Sequence, residues 1–165
     1  MPVAKVKCLL ILVFLCPANF FSQVNDDKIR SQVLQRNIVG KEYTFGQWSE
    51  KGGTETHLRY LGKVITGSGT YKILNSTWIW GLSHRATNRI LVFDHDNKYL
   101  GNYYVTTDMD LPAELRKGFL IFKNTDRDCD SKIVTKIDMK NGIPAQFFRK
   151  CRADSGDIYS FSRIN

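Results

Sequence analysis

The chain has 165 residues, and its 24 lysines and arginines outnumber its 16 aspartates and glutamates to give a formal net charge of +8. This length gives room for one domain with a single hydrophobic core. The basic residues are spread along the chain without a dense run. That spread predicts a soluble domain with a charged outer face. The alternative interpretation is that the protein works in anionic surroundings. Specific binding of nucleic acid is not predicted.

Residues 1–22 have the parts of a secretory signal peptide. Lys5 and Lys7 make the start basic, residues 9–15 form an apolar run, and a break follows before Ser22. A run this short cannot span a bilayer, which takes about 20 helical residues. We therefore predict cleavage near Ser22, export to the periplasm or out of the cell, and a mature chain without a transmembrane segment.

Removal of residues 1–22 would leave 22 basic and 16 acidic residues, a net charge of +6, because Lys5 and Lys7 are the only charged residues of that segment. A cysteine directly after an apolar run can also be the lipidated first residue of a bacterial lipoprotein, and Cys16 has this position. Leu15 precedes it where that cleavage prefers a small residue, so lipid anchoring at Cys16 is the lesser alternative.

Residues 23–40 predict a short N-terminal helix, with a frayed arm as the alternative. Apolar residues recur at helical spacing at Ile29, Val33, Leu34 and Ile38. The acidic residues Asp26 and Asp27 suit a helix N-terminus, and Gly40 ends the segment. Such a helix would pack on a sheet or plug one end of a barrel.

Residues 41–165 predict a single antiparallel β domain. Alternating side chains predict a first strand that begins near Tyr43 and a second strand over 54–66. Residues 71–105 are rich in strand-forming residues and predict three consecutive strands, the last two joined by a four-residue turn at 94–97. Further strands are predicted at 119–122, 133–139, 146–152 and 158–164, with turns at Asn141-Gly142 and Ser155-Gly156.

A short helical connection is predicted near 111–117. Pro112 suits an early helical position, and Gly118 can close a helix. Together the elements predict an all-β, mainly antiparallel fold of about eight strands, arranged as a barrel or a sandwich.

The cysteines divide into two pairs. Cys8 and Cys16 leave with the signal peptide, whereas Cys129 and Cys151 remain. Two thiols in an oxidising compartment predict a disulfide between Cys129 and Cys151. Closing a loop of about 22 residues in this way should contribute about 3 kcal/mol to stability.

Trp78 and Trp80 are two residues apart on a predicted strand and therefore point to one face. Core positions are the favoured interpretation, because small β domains need the area that such rings bury, and an aromatic platform for a ligand is the alternative. Arg85 and Arg89 share strand parity and could present two guanidinium groups beside His84 to an anion. These five residues are the candidate binding site.

Asp126, Asp128 and Asp130 imitate the start of a calcium loop, in which alternate oxygen ligands converge on the cation. Ser131 stands where the sharp turn needs glycine, and Ile137 stands where the bidentate glutamate should be. Aspartates are common in turns for another reason, since they bond to nearby backbone amides. The three aspartates are therefore weak metal candidates, and we predict no cofactor.

The three histidines, His57, His84 and His95, are the residues most suited to acid–base chemistry near neutral pH. None lies in a recognisable catalytic motif. A pair assembled from distant residues, such as His84 with Asp94, is the remaining route to an enzyme. We therefore predict no catalytic residue.

Gly46-Gln47-Trp48 is similar to the Gly-x-Trp found at the first strand of lipocalins. Thr107-Asp108 resembles the second motif of that family, with Met109 in place of the expected tyrosine. The resemblance implies a barrel of about eight strands, a preceding helix, a disulfide and an apolar ligand, without an enzymatic step.

These features predict an exported, non-enzymatic binding protein of the cell envelope or the secreted fraction, such as an inhibitor or immunity-type factor that acts on another protein. A protein or an envelope polymer is the expected partner, ahead of a small molecule. An exposed patch near 81–84 or 108–111 would favour this function. The alternative is a lipocalin-like barrel that carries a small apolar ligand. A hydrolase with a site built from His84 and aspartates comes third.

Overall fold

The computed structural model describes residues 26–164, so the predicted signal peptide, Cys8 and Cys16 lie outside the described residues. Within this range helix α1 (Asp26–Arg36) is followed by ten strands. They are β1 (Glu42–Gly46), β2 (Glu55–Thr66), β3 (Gly69–Trp80), β4 (Arg85–Phe93), β5 (Tyr99–Val105), β6 (Glu114–Arg116), β7 (Phe119–Lys123), β8 (Val134–Asp138), β9 (Gln146–Arg152) and β10 (Ser155–Arg163), with a 3-10 segment at Asp108–Asp110. No helix in the described part of the chain is both long and apolar enough to cross a membrane.

The strands form two antiparallel sheets. The large sheet has the order β1-β2-β3-β4-β5-β10-β9, and the small sheet has the order β6-β7-β8. β1 and β9 stand at opposite edges, so the large sheet does not close on itself. The prediction of a mainly antiparallel β fold with a short N-terminal helix is confirmed. The arrangement is that of a sandwich and not of the barrel that the lipocalin resemblance implies.

The inner face of the large sheet is the face that packs against the small sheet. The inner core consists of the buried side chains Leu61, Val64, Ile73, Ile90, Val92, Tyr103, Val105, Leu120, Phe122, Met139, Phe147 and Tyr159. The ring centroid of Phe147 lies 4.9 Å from that of Tyr103 and 5.3 Å from that of Phe122. The hydroxyl of Tyr103 donates to the Pro144 carbonyl, and burial raises the pKa of this tyrosine. Aromatic rings thus fill the space between the sheets.

Helix α1 packs on the outer face of the large sheet. Val33 and Leu34 are almost fully buried there, in an outer core with residues of β1 to β4. The expectation that Ile38 continues the packing face of the helix is wrong. Asn37 takes a left-handed backbone with a φ of 52° directly after the last helical residue, which turns the chain away and leaves Ile38 47% exposed.

The predicted helical connection at 111–117 is also wrong. Residues Glu114–Arg116 form β6, which pairs with β7 across a two-residue turn at Lys117 and Gly118. Both turn residues have positive φ, 51° and 80°, which is the geometry of a tight hairpin. Gly118 therefore belongs to a hairpin turn, and not to a helix end. In the last hairpin β10 begins at Ser155, three residues before the predicted start.

The predicted disulfide between Cys129 and Cys151 is present, with a distance of 4.6 Å between the two Cα atoms. It ties the loop before β8 to the edge strand β9. The buried side chain of Asn124 strengthens the same junction, since its Nδ2 lies 3.0 Å from the carbonyl oxygen of Asp130 and 3.1 Å from that of Cys151.

Candidate functional site

The outer face of the large sheet is only partly covered by α1. The helix packs on the part of this face that holds Leu58, Leu74 and Leu91. Its 11 residues span about 16 Å, whereas the 12 residues of β3 extend about 40 Å. Further along β3, Trp78 and Trp80 have the same parity as Leu74 and so stand on the same face beyond the helix.

Five side chains on this uncovered part, Trp78, Trp80, Arg85, Arg89 and Tyr104, form the outer patch. The two tryptophan rings stack with centroids 5.4 Å apart and planes inclined by 20°. Strand register places Arg85 opposite Trp80, with its guanidinium carbon 5.6 Å from the ring centroid. Arg89 lies opposite Tyr104 in the same way, at 4.7 Å. Four of the five candidate binding residues therefore come together on one face.

The core interpretation of the two tryptophans is wrong. Both side chains are only half-buried, and neither belongs to the inner or the outer core. The indole N–H of Trp80 donates to the Thr87 hydroxyl at 3.0 Å, which satisfies its polar edge at the surface. An aromatic platform for a ligand stays a prediction.

The outer patch carries positive charge and no negative charge. By register, the outward-facing residues of β3, β4 and β5 around it are Ser76, Trp78, Trp80, Arg85, Thr87, Arg89, Asn102 and Tyr104. A guanidinium group stacked on an aromatic ring still offers its N–H groups to an anion. The patch therefore suits a partner that presents carboxylates beside apolar surface.

His84 lies beside the outer patch and not within it. It belongs to the turn between β3 and β4, where it has a φ of 53°. Its ring contacts Trp48 edge-on, with centroids 4.4 Å apart, and the indole N–H of Trp48 donates to the Gly81 carbonyl at 2.8 Å. Leu82, at the tip of this turn, is 73% exposed. An exposed apolar side chain thus extends from the end of the patch, in the turn where the sequence predicts an exposed surface.

The structure does not bring His84 and Asp94 together. His84 precedes β4 and Asp94 follows it, so the nine-residue strand holds them roughly 30 Å apart. Asp94 Oδ1 instead accepts the backbone N–H groups of Asp96 and Lys98 in the hairpin turn. His95 in the same turn is exposed and pairs with its neighbour Asp96 at 3.0 Å. These residues shape a turn.

A second group of residues lines a cleft of about 400 Å³ on the inner face. Its lining, which we call the inner cleft, consists of Glu42, His57, Arg59, Asn75, Ser76, Thr77, Ile79, Asp108 and Leu111. Arg59 and Asn75 both donate to the Pro112 carbonyl, at 3.1 Å and 2.9 Å, and so hold the segment after Asp108 against the sheet. His57 and Asp108 therefore share one cleft.

His57 is held between two carboxylates in this cleft. Its Nε2 lies 2.6 Å from Glu55 Oε1, and its Nδ1 lies 3.3 Å from Glu42 Oε1. The backbone N–H of Trp48, together with His57, holds the pKa of Glu55 below its usual value. Both ring nitrogens of His57 therefore face a carboxylate. The arrangement links β1 to β2 and secures the loop between them.

The chain matches no protein-family model, no curated protein and no solved structure. Function must therefore be inferred from the chemistry of the two sites. The outer patch presents aromatic and guanidinium groups at the surface, whereas in the inner cleft Arg59 and Asn75 donate to the Pro112 carbonyl and His57 contacts Glu42.

Two of the three aspartates with calcium-loop spacing, Asp126 and Asp130, bond to backbone amides within turns. Asp126 Oδ1 accepts the backbone N–H of Asp128, and Asp130 Oδ1 accepts that of Lys132, both at 2.9 Å. Among residues 26–164 no group of three or more His, Cys, Asp or Glu side chains is arranged to hold a metal ion.

Sequence reasoning missed Tyr104 and most of the inner cleft. Tyr104 joins Arg89 only through the pairing of β4 with β5, and Glu42 joins His57 only through the pairing of β1 with β2. The alternation of polar residues at 55, 57 and 59 is a visible signal. It indicates a polar face of β2, but the register of the neighbouring strands decides which side chains lie beside that face.

Proposed function

We propose that this protein is an exported, non-enzymatic binding protein that docks the acidic face of a partner protein on the outer patch. The observation that carries the proposal is the stacking of Arg85 on Trp80 and of Arg89 on Tyr104, on the part of the outer sheet face that helix α1 does not cover. An inhibitor or immunity-type factor that acts on another protein uses a surface of this kind.

The composition of the outer patch favours a protein as the partner. Tryptophan, tyrosine and arginine are the residues that dominate binding energy at protein interfaces. The patch lies on an open sheet face, whereas small molecules bind in concave sites. The two arginines select a partner with carboxylates, which steers encounter and suppresses wrong partners.

Two further observations support export and binding over the alternatives. The disulfide between Cys129 and Cys151 fits an oxidising compartment, as the predicted signal peptide requires. A lipocalin-like carrier would hold its ligand inside a barrel, whereas here the space between the two sheets is filled by rings such as Tyr103, Phe122 and Phe147.

Affinity capture with charge-reversed variants tests the proposal. The secreted or periplasmic form, immobilised through a C-terminal tag, would capture partners from an envelope extract, next to a double variant Arg85→Glu, Arg89→Glu. The control is Lys123→Glu with Lys132→Glu, which makes the same charge change at exposed residues near the small sheet. A true partner should be captured by the wild type and the control and lost from the patch variant.

The captured partner then allows a quantitative test. Trp80→Ala should weaken its binding by about 30-fold, the effect of removing an interface residue that contributes about 2 kcal/mol. Binding should also weaken as salt rises, because the arginines act partly through charge. A partner that binds both patch variants as tightly as it binds the wild type would show that another surface is used.

A further inference from the structure

A cleft of about 600 Å³ opens at the end of the sandwich opposite to the outer patch. We call it the end cleft. On one side it is bounded by the β2–β3 turn and the β8–β9 turn, where Ser68 Oγ lies 3.8 Å from the position that a Cβ on Gly142 would occupy. The hydroxyls of Ser68 and Tyr71 lie 3.1 Å apart at this rim.

Polar and apolar residues both line the end cleft, and the apolar ones lie at its floor. Tyr71, Leu100, Ile143 and Phe161 are half-buried side chains that line it and also pack against the inner core. The floor of the cleft is thus the exposed end of the core between the two sheets. Its volume falls within the range of sites that hold a small molecule.

The charged groups of the end cleft are both cationic. Lys98 directly precedes β5, and Arg163 ends β10, which pairs with β5 in the antiparallel sense, so the two lie at the same end of the sheet. Both line the cleft, and none of its lining residues is acidic. Among residues 26–164, neither has a carboxylate within 4.0 Å. An apolar floor therefore meets a positive rim.

From this combination we propose that the end cleft binds a free single-chain amphiphile with a carboxylate head group. The apolar tail would lie against Leu100, Ile143 and Phe161, where burial of its surface drives binding. The carboxylate would lie between Lys98 and Arg163, whose N–H groups form charge-assisted hydrogen bonds with such an anion. This site is separate from the outer patch, since Tyr71 and Trp80 lie nine residues apart along β3, roughly 30 Å.

Three ligands that differ only in the head group test the chemistry. Binding to the full chain would be measured by isothermal titration calorimetry with dodecanoate, 1-dodecanol and dodecyltrimethylammonium, each below the concentration at which it forms micelles. Dodecanoate should bind about tenfold more tightly than the alcohol, and the cation should bind more weakly than both. Equal affinity for dodecanoate and dodecyltrimethylammonium would overturn the proposal.

Two variants test the location. Lys98→Gln with Arg163→Gln should weaken dodecanoate about tenfold and leave the alcohol within twofold, as expected for two solvent-accessible charge contacts. The matched control, Lys132→Gln with Arg127→Gln, removes two exposed cations elsewhere and should leave both affinities unchanged. Ile143→Glu places a carboxylate on the floor and should abolish dodecanoate binding while circular dichroism shows the wild-type fold. Unchanged binding to the folded Ile143→Glu variant would place the ligand elsewhere and refute the site.

A vesicle measurement distinguishes a free amphiphile from a lipid head group in a membrane. The protein should remain in the supernatant when phosphatidylglycerol vesicles are sedimented, and dodecanoate should still bind. Co-sedimentation that the Lys98→Gln, Arg163→Gln variant abolishes, without binding of free dodecanoate, would replace the free ligand by a membrane surface and so contradict the proposal. Binding of dodecanoate is tested independently of partner capture, because the substitutions at Arg85, Arg89 and Trp80 leave the end cleft intact.

Discussion

The guanidinium group of Arg149 lies 2.6 Å from a carboxylate oxygen of Asp110, and the two side chains are only 1% and 10% exposed. Asp110 Oδ2 also accepts the N–H and the hydroxyl of Thr107, both at 2.9 Å, while Arg149 donates to the Met109 carbonyl at 3.2 Å. This buried pair ties the 3-10 segment at Asp108–Asp110 to the edge strand β9.

Breaking the pair should be costly. Arg149→Met should lower the free energy of unfolding by about 3–5 kcal/mol, because it leaves the Asp110 carboxylate buried without its counter-charge. The double variant with Asp110→Asn should lose less than the sum of the two single losses, since neither buried charge remains. Urea unfolding followed by tryptophan fluorescence measures both. Arg116→Met, at a side chain that is 66% exposed, is the control, and additive losses would refute the coupling.

Gly101 marks a close approach of β5 to β10. It has a φ of 149°, and a Cβ there would overlap the Ser162 carbonyl oxygen. Gly101→Ala should therefore destabilise the protein by about 2 kcal/mol or more through steric overlap and backbone strain. Gly67→Ala, where a Cβ would meet nothing within 4 Å, should change stability by at most about 0.5 kcal/mol. Similar thermal unfolding midpoints for the two variants would contradict this account.

Loss of the disulfide should destabilise the protein without changing its fold. The variant Cys129→Ala, Cys151→Ala should lose about 3 kcal/mol, because the unfolded chain regains the freedom of a loop closed over 22 residues. Wild-type protein unfolded in urea with a reducing agent should show the same loss, and the double variant should not respond to the reducing agent. Circular dichroism should remain that of a β protein, because Asn124 still holds the same junction.

Glu55 should make stability depend on pH in the acidic range. The pKa of Glu55 is lower in the folded state than its ordinary value of 4.5, first because of the Trp48 backbone N–H and then because of His57. Its interactions therefore stabilise the fold above that ordinary value and are lost as the pH falls through the lowered folded value. Glu55→Gln should be less stable than wild type at pH 7, and the difference should shrink as the pH is lowered below 4.5.

Unfolding free energies of wild type and Glu55→Gln at a series of pH values measure this effect. Glu50→Gln, a change of the same kind at an exposed residue of the same loop, is the control for loss of a surface charge. A difference between wild type and Glu55→Gln that grows as the pH falls would have the wrong sign for this account.

The sequence determines most of the strands directly, because alternation and turn residues are local signals. The hairpin turn at 94–97 and the shared face of Trp78 and Trp80 follow from spacing along the chain. The pairing of Cys129 with Cys151 follows from their being the two cysteines outside the predicted signal peptide. The prediction of a helix at 111–117 is wrong because it rests on local signals alone. Pro112 and Gly118 suit both a helix and a tight hairpin, and the pairing with β7 decides between the two.

The tertiary structure alone decides which sheet faces are covered, and therefore where binding sites can form. Whether Trp80 is buried or exposed depends on how far the 11-residue helix α1 extends along the longer strand β3. The residues around Trp80 carry no signal of that distance. Arg89 lies opposite Tyr104, and Lys98 lies at the same end of the sheet as Arg163, only because antiparallel pairing places distant segments side by side. Strand identity is a property of neighbouring residues, whereas exposure and charge clustering arise from contacts between segments far apart in the chain.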